Sequence, residues 1–301
     1  MKKFIGIEGG GTKFLCAVGD SSGNLDSMER IPTTTPEETM GKIIAWMKQE
    51  YEQQPFSAVG IASFGPLDTN PVSPYYGHIT TAPKPGWGNF NIVGSIKKHF
   101  DLPIGFATDV NGSLLGEYRW GNGQSYSGLV YWTIGTGIGA GSMTANNIVN
   151  CLGHPEMGHI YIPHDKEEDP FVGICPYHGD CLEGLASGPA MQARWNVKSA
   201  AELPDGHPAW ELEAKYIGYA MANCIMTAVP ERIILGGGVM KHEEIHPMIC
   251  QQTLKHLNGY IEHKDILENI ENYIVPAALK GKQGVLGGIA LAEIALRHKN
   301  W

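Results

Sequence analysis

No stretch of the chain approaches the roughly 18 consecutive apolar residues that a membrane-crossing helix needs, so a membrane protein of that kind is not expected. The N-terminus, MKKFIGIEGGGTK, carries two lysines but runs straight into glycines rather than an apolar leader. A secretory signal is therefore not expected, and the cytoplasm is the expected location. Basic blocks are missing too. With 22 Lys and Arg against 31 Asp and Glu, a net charge of −9, the chain lacks the positive face of a general nucleic-acid binder. Cysteine is scarce: six in 301 residues do not make a disulfide framework. Cys16, Cys224 and Cys250 lie in apolar surroundings and read as small buried hydrophobes, while Cys151, before a glycine, reads as either buried or exposed. Low-complexity tracts and evident linkers are lacking.

What is present is length enough for two domains, or two halves of one bilobal fold, at an ordinary 43% hydrophobic content. FIGIEGGGTKFLCAVGD reads as strand, glycine turn, strand. Residues 36–54 read as a helix capped by Thr35, with Ile43, Ile44, Trp46 and Met47 on its apolar face. AVGIASFG reads as a buried strand ending in a Gly-Pro turn, 91–100 as a helix, and IGFATDV as a strand entering the helix NGSLLGEYRWG. GLVYWTIGTGIGAGSM repeats the strand, turn and strand of the N-terminus. A loop-rich region at 150–182 follows, then a helix at 208–229, the strand RIILGGGVM, and a remainder read as mostly helical. The two echoing segments predict an α/β fold of two similar βββαβα halves facing a cleft, with the division near residue 120.

GGGTK at 9–13 is not a P-loop, because a strand follows it rather than a helix. It is not a dinucleotide fingerprint, for the same reason. It reads either as a plain tight hairpin or as an anion-binding concavity of exposed N–H groups and the Thr12 hydroxyl. TIGTGIG at 133–139 repeats the arrangement, and LGGGV at 235–239 adds a third glycine turn after an apolar strand. Asp109 lies where a strand meets a helix; position alone favours a helix N-cap, and a general base is the alternative.

Cys175, His178 and Cys181 fall three apart, twice. A tetrahedral Zn²⁺ wants four ligands; His159 is the best fourth and His154 a rival, with a chance cluster as the competing reading. Four protein ligands would make the site structural. Glu156 and Glu183 are tethered to these positions. They read as hydrogen-bond acceptors for a polyol if metal fixes them, and as solvated surface acids if not.

These segments, IGIEGGGTK, FGPLD, ATDVNG, TIGTGIGAG, HPEMGHI, CPYHGDCLEGLASGPA and ILGGGV, together resemble the ROK family of sugar kinases and repressors, within the actin-like ATPase superfamily. The form CPYHGDCLEG, with His where other members carry a third cysteine, is similar to the fructokinase branch. The resemblance implies two actin-like (ribonuclease H-like) lobes with mixed sheets flanked by helices, at 1–120 and 121–301, the second carrying an inserted zinc-binding loop at 154–184. It implies ATP-dependent phosphorylation of a hexose, D-fructose at O6 first, with mannose, glucose, an N-acetyl-hexosamine or a non-catalytic sugar sensor as alternatives.

By the same resemblance Asp109 is the catalytic base. Glu8, Gly10, Gly11, Thr12 and Lys13 form the first nucleotide loop, with Glu8 near Mg²⁺. Thr133, Gly135, Thr136 and Gly137 form the second, and Pro189, Gly237 and Gly238 complete the nucleotide site. Gly65, Pro66, Thr108, Asp109, Glu156, His159 and Glu183 contact the sugar, and His159, Cys175, His178 and Cys181 hold zinc. Glu8 stands where the family usually has Asp, and Thr108 where many members have Asn, which bears on hexose choice. A homodimer is implied. A helix-turn-helix of the repressor kind is not expected, because the first loop begins at residue 8.

Overall fold

The computed structural model describes residues 2–82 and 84–297. In chain order the strands are β1 (Phe4–Gly9), β2 (Lys13–Gly19), β3 (Leu25–Pro32), β4 (Val59–Ser63), β5 (His78–Ile79), β6 (Phe90–Asn91), β7 (Ile104–Thr108), β8 (Leu129–Ile134), β9 (Ile138–Thr144), β10 (Asn147–Ile148), β11 (Arg232–Gly236) and β12 (Ile274–Pro276). The helices are α1 (Pro36–Gln53), α2 (Ile92–Lys97), α3 (Asp109–Trp120), α4 (Leu182–Ala186), α5 (Gly188–Trp195), α6 (Pro208–Ala228), α7 (Ile245–Leu257), α8 (Lys264–Leu267), α9 (Ile270–Tyr273) and α10 (Gln283–Arg297).

Two five-stranded sheets share one plan, β3-β2-β1-β4-β7 and β10-β9-β8-β11-β12. In each, an antiparallel hairpin closed by a glycine turn lies beside parallel strands. The duplication read from the two echoing glycine segments is therefore real. The chain divides into two compact units. The first is Met1–Ser125 with Ile148–Pro155 and Ala278–Trp301; the second is Tyr126–Asn147 with Glu156–Ala277. The pattern-based division placed all of 121–301 in one lobe. Instead the chain returns its last helix, and a short piece at 148–155, to the first unit.

That return has a steric cause in the first sheet. Gly6, Gly60 and Gly105 are register partners across β1, β4 and β7. With no side chain on this row, α10 lies directly on the strands. A Cβ at Gly6, Gly60 or Gly105 would meet the α10 carbonyl of Val285, Gly288 or Leu291 at 2.3, 1.9 and 2.4 Å. The other face of the sheet packs on α1, whose buried Pro36, Thr39, Met40, Ile43 and Met47 follow helical spacing. Thr35 caps α1 as expected, accepting from the Glu38 N–H at 3.3 Å.

Five strands, β3, β5, β6, β10 and β12, escape a reading of the sequence. β3 alternates only partly, because it pairs solely with β2 at the sheet edge. β12 lies in a segment read as helical; three residues suffice because β11 supplies its partners. Cys16, Cys224 and Cys250 are buried and Cys151 is exposed, and all six cysteines are free. Among the described residues no helix is long and apolar enough to cross a membrane.

Candidate active site

In the first unit the C-terminal ends of the parallel strands β1, β4 and β7 converge, the place where α/β sheets present chemistry. The β1–β2 turn is closed by the Gly10 N–H donating to the Lys13 carbonyl at 2.9 Å. Thr33 braces it, its hydroxyl donating to the Gly10 carbonyl at 2.7 Å and its N–H to Thr12 at 3.0 Å. Gly11 and Thr12 at the tip are exposed. Beyond β4 follow Phe64, Gly65 and Pro66, with a cis Gly65–Pro66 bond. Beyond β7 comes Asp109, half-buried, its Oδ1 accepting from the Val110 N–H at 2.9 Å.

The cap of α3 is not Asp109, as position favoured, but Thr108. Its Oγ1 accepts from the Asn111 N–H at 3.2 Å and the residue is only 3% exposed. Thr108, expected at the sugar, thus serves in this fold to anchor the helix that starts with Asp109.

Glu8 lies at the end of β1, its carboxyl shifted from its ordinary range. Burial first, and then the charge of Asp109, push it up to about 7 from 4.5. Its carboxyl occupies the space left by Gly284 of α10, where a Cβ would lie 2.3 Å from it. Oε2 is buried with no hydrogen-bond partner. An orphaned carboxylate oxygen beside a second carboxylate is a place a hard cation satisfies, so Glu8 fits the Mg²⁺ role.

In the second unit the β8–β9 turn repeats the first, Gly135 N–H donating to the Gly137 carbonyl at 2.9 Å and Thr136 exposed at the tip. The Gly188 N–H at the start of α5 donates to the Gly135 carbonyl at 2.7 Å. Pro189 occupies the first turn of α5, where a missing N–H costs nothing. Gly238 N lies 3.4 Å from where a Gly135 Cβ would be, and Gly237 has φ +98°, a conformation that favours glycine. Glycine backbones from three segments meet here.

His159, Cys175, His178 and Cys181 converge, each offering a ligand atom within 4.8 Å of the others. Cys175 Sγ lies 3.7 Å from His159 Nδ1 and 3.6 Å from His178 Nδ1; Cys181 Sγ lies 3.6 Å from His159 Nδ1. A tetrahedron of N and S donors around a zinc-sized ion has S···N edges of about 3.6 Å, so the donors fit. Burial pushes the Cys181 thiol up to about 11, and a cation is what would turn such a thiol into a ligand. The rival His154 is engaged elsewhere: its Nε2 accepts from the Leu67 N–H at 3.1 Å, in the first unit.

Glu183 ties this cluster to the glycine turn. Its Oε2 accepts from the Ile138 N–H at 2.9 Å and its Oε1 lies 3.9 Å from His159 Nε2. Gly137 lies beside it: a Cβ there would lie 2.8 Å from Oε2, so a larger residue would have to displace the Glu183 carboxylate. Glu156 is exposed, three residues before His159.

The ROK family pattern matches residues 4–295. The chain belongs to the ROK family. A fructokinase of Pediococcus pentosaceus is 42% identical over 97% of this chain and 98% of its own. A fructokinase of Zymomonas mobilis is 42% identical over 98% of each. The crystal structure of a ROK family glucokinase from Streptomyces griseus, with glucose and AMPPNP, is 25% identical, covers 97% of this chain and 99% of that one, and has a TM-score of 0.77. The two sheets described above are those of the actin-like fold that ROK sugar kinases share.

Within this ROK chain, reading the sequence missed Lys84 and Gly284. Lys84 Nζ donates to the Gly11 carbonyl at 2.6 Å, held near the turn because the buried Trp87 stacks on Phe14 at 5.4 Å and donates to the Thr34 carbonyl. Nothing local to Lys84 signals this contact across the sheet. The Gly284 signal was present in the LGG-rich last helix but has meaning only once Glu8 faces it.

The raised Glu8 carboxyl carries a prediction of its own. The folded protein binds this proton more tightly than the unfolded chain, so Glu8 costs stability as pH rises from 4.5 through about 7. Glu8→Gln should therefore stabilise the protein by about 2–3 kcal/mol at alkaline pH and by nothing at pH below the ordinary carboxylate range. Urea unfolding of both proteins across pH checks this; equal stabilisation at every pH would point to packing rather than charge.

Proposed function

We propose that this chain is an ATP-dependent fructokinase that transfers the γ-phosphoryl group of ATP to O6 of D-fructose. The observation that carries the reading is the placement of Asp109, immediately after β7, at the sheet end where Glu8 and the first glycine turn converge. Fructose is favoured over other hexoses by full-length identity to fructokinases.

Asp109 accepts the proton of the 6-hydroxyl as O6 attacks phosphorus; the O6–P bond forms and the bond from phosphorus to the ADP oxygen breaks. Backbone N–H groups of the turns at 9–13 and 133–137, with the Thr12 and Thr136 hydroxyls at their tips, receive the phosphates. Gly237, Gly238 and Pro189 present a flat backbone surface to the nucleoside. Mg²⁺, held by Glu8, supplies charge neutralisation on the phosphates when bound. Glu156, His159 and Glu183, with Gly65 and Pro66, orient the sugar hydroxyls. Zinc on His159, Cys175, His178 and Cys181 fixes that loop as a structural ion, since four protein ligands leave no open position. A cytoplasmic homodimer completes the reading, and light scattering in solution checks the dimer.

ADP release with Mg-ATP against fructose, mannose, glucose and N-acetylmannosamine, with and without a zinc chelator, tests the function. Turnover highest on fructose and reduced by chelation supports it. Turnover highest on another hexose reassigns the substrate, and none at all favours a sugar sensor. Cys181→Ser should raise KM for fructose about tenfold or more while KM for ATP moves little. Equal loss of both would mean that the metal supports only the fold.

A further inference from the structure

Beneath the zinc loop lies a buried polar network that none of the roles above uses. Asp169, on the loop before the Cys175–Cys181 hairpin, is its hub. Arg194 of α5 donates from Nε to Asp169 Oδ1 at 3.2 Å and places Nη2 3.2 Å from Oδ2. The Tyr216 hydroxyl of α6 donates to Oδ2 at 2.6 Å and the Phe171 N–H to Oδ1 at 3.3 Å. The Asp169 carboxylate is thus satisfied without His164.

His164 lies against this hub with its side chain 5% exposed. Nδ1 is 3.0 Å from Asp180 Oδ2, and Nε2 is 2.9 Å from the Asp169 backbone carbonyl. A carboxylate and a carbonyl only accept hydrogen bonds. A neutral imidazole has one N–H, so one of these contacts would set lone pair against lone pair. Both contacts are made when both nitrogens carry hydrogen. The charges around the ring suit this. Asp169 and Asp180 face it, Arg194 neutralises one of them, and Tyr216 presents its ring edge at 6.2 Å. Lys166, 72% exposed, reaches Asp180 Oδ2 at 3.3 Å from the solvent side; Lys215 pairs with Glu168 at the rim, and Glu213 is buried near Arg194.

Asp180 sits between His178 and Cys181, and α4 with Glu183 begins directly after. We propose that His164 is held as an imidazolium that pins Asp180, and through it the 175–183 segment, and so is a positioning residue for the hexose side of the site. This rests on the kinase reading above. Other bonds also hold the segment, among them Leu182 N–H to the Ile160 carbonyl at 3.0 Å, Ile174 N–H to the Gly184 carbonyl at 3.1 Å and Ile138 N–H to Glu183 Oε2 at 2.9 Å, but none of them holds the Asp180 carboxylate from the buried side.

The test has two arms on the intact chain. With ¹⁵N-labelled histidine, NMR near neutral pH should show hydrogen on both ring nitrogens of His164; a single protonated nitrogen overturns the proposal. In kinetics, His164→Gln should raise KM for fructose about tenfold while kcat and KM for ATP change less than about twofold. An unchanged KM, or an equal rise for both substrates, overturns it. Asp180→Asn, which leaves His164 in place, should give the same KM rise, and the double variant no more than either alone; additive effects overturn the coupling. If the wild type turns over no hexose, the kinase reading fails separately. The NMR arm then still decides His164, together with zinc release to a chelator, expected about tenfold faster in His164→Gln.

Discussion

Asp109→Asn is expected to lower kcat on fructose by about 10²- to 10⁴-fold, the usual contribution of a positioned general base. The fold should survive the change. Thr108, not Asp109, caps α3, so asparagine leaves the cap bond to Asn111 in place. What is lost at the helix start is a favourable charge in the first turn, about 0.5 kcal/mol. Asparagine can still accept from the Val110 N–H, so the side chain has reason to keep its place. A second consequence follows at Glu8. After burial, the charge of Asp109 is what holds that carboxyl up, so removing it should bring Glu8 partway down, burial still acting. ADP-release kinetics with saturating fructose and ATP, paired with a melting curve, check the prediction. Turnover within a few-fold of wild type would remove Asp109 from the chemistry.

Gly60→Val should cost the first unit about 4 kcal/mol or more of stability. The new Cβ would lie 1.9 Å from the Gly288 carbonyl oxygen and 2.6 Å from the Ala292 nitrogen. Both are backbone atoms of α10, so no rotamer change relieves the clash. The helix must lift from the sheet, and Val285, Leu286, Ile289 and Ala292, all buried, lose their contacts together. Gly60→Ala meets the same atoms and should lose somewhat less. Gly41→Ala is the control: its Cβ, on the exposed side of α1, meets nothing within 4 Å. Relieved of glycine's helix penalty, that variant should gain about 0.5–1 kcal/mol. Urea titrations of the three variants decide the matter. Near-wild-type stability of Gly60→Val would mean that α10 does not rest on this glycine row.

The glycine row also shows where reading the sequence stops. Gly6, Gly60 and Gly105 each stand singly within an apolar strand segment. Only their register across three strands makes them one groove. The lobe division failed for the same reason: nothing in LGGIALAEIALRHK says which sheet it covers, because the partner lies more than half the chain away. Asp109 was placed correctly at a strand–helix junction, but the cap went to its neighbour. Thr108 has a near-helical φ of −67° but an extended ψ of 156°, as an N-cap residue does, and its hydroxyl accepts from the Asn111 N–H.

By itself the sequence determined what depends on near neighbours. Two strand–glycine–strand hairpins, a strand leading into Asp109, and ligands spaced three apart at Cys175, His178 and Cys181 are local patterns, set by backbone freedom and loop geometry within a dozen residues. The tertiary structure decided what depends on distant ones. It returned α10 to the first sheet, chose His159 over His154 beside the cysteines, brought Lys84 to Gly11, and set His164 between Asp169 and Asp180. Those choices follow from sterics and from the need of buried polar groups for partners, and both are properties of space rather than of the chain's order.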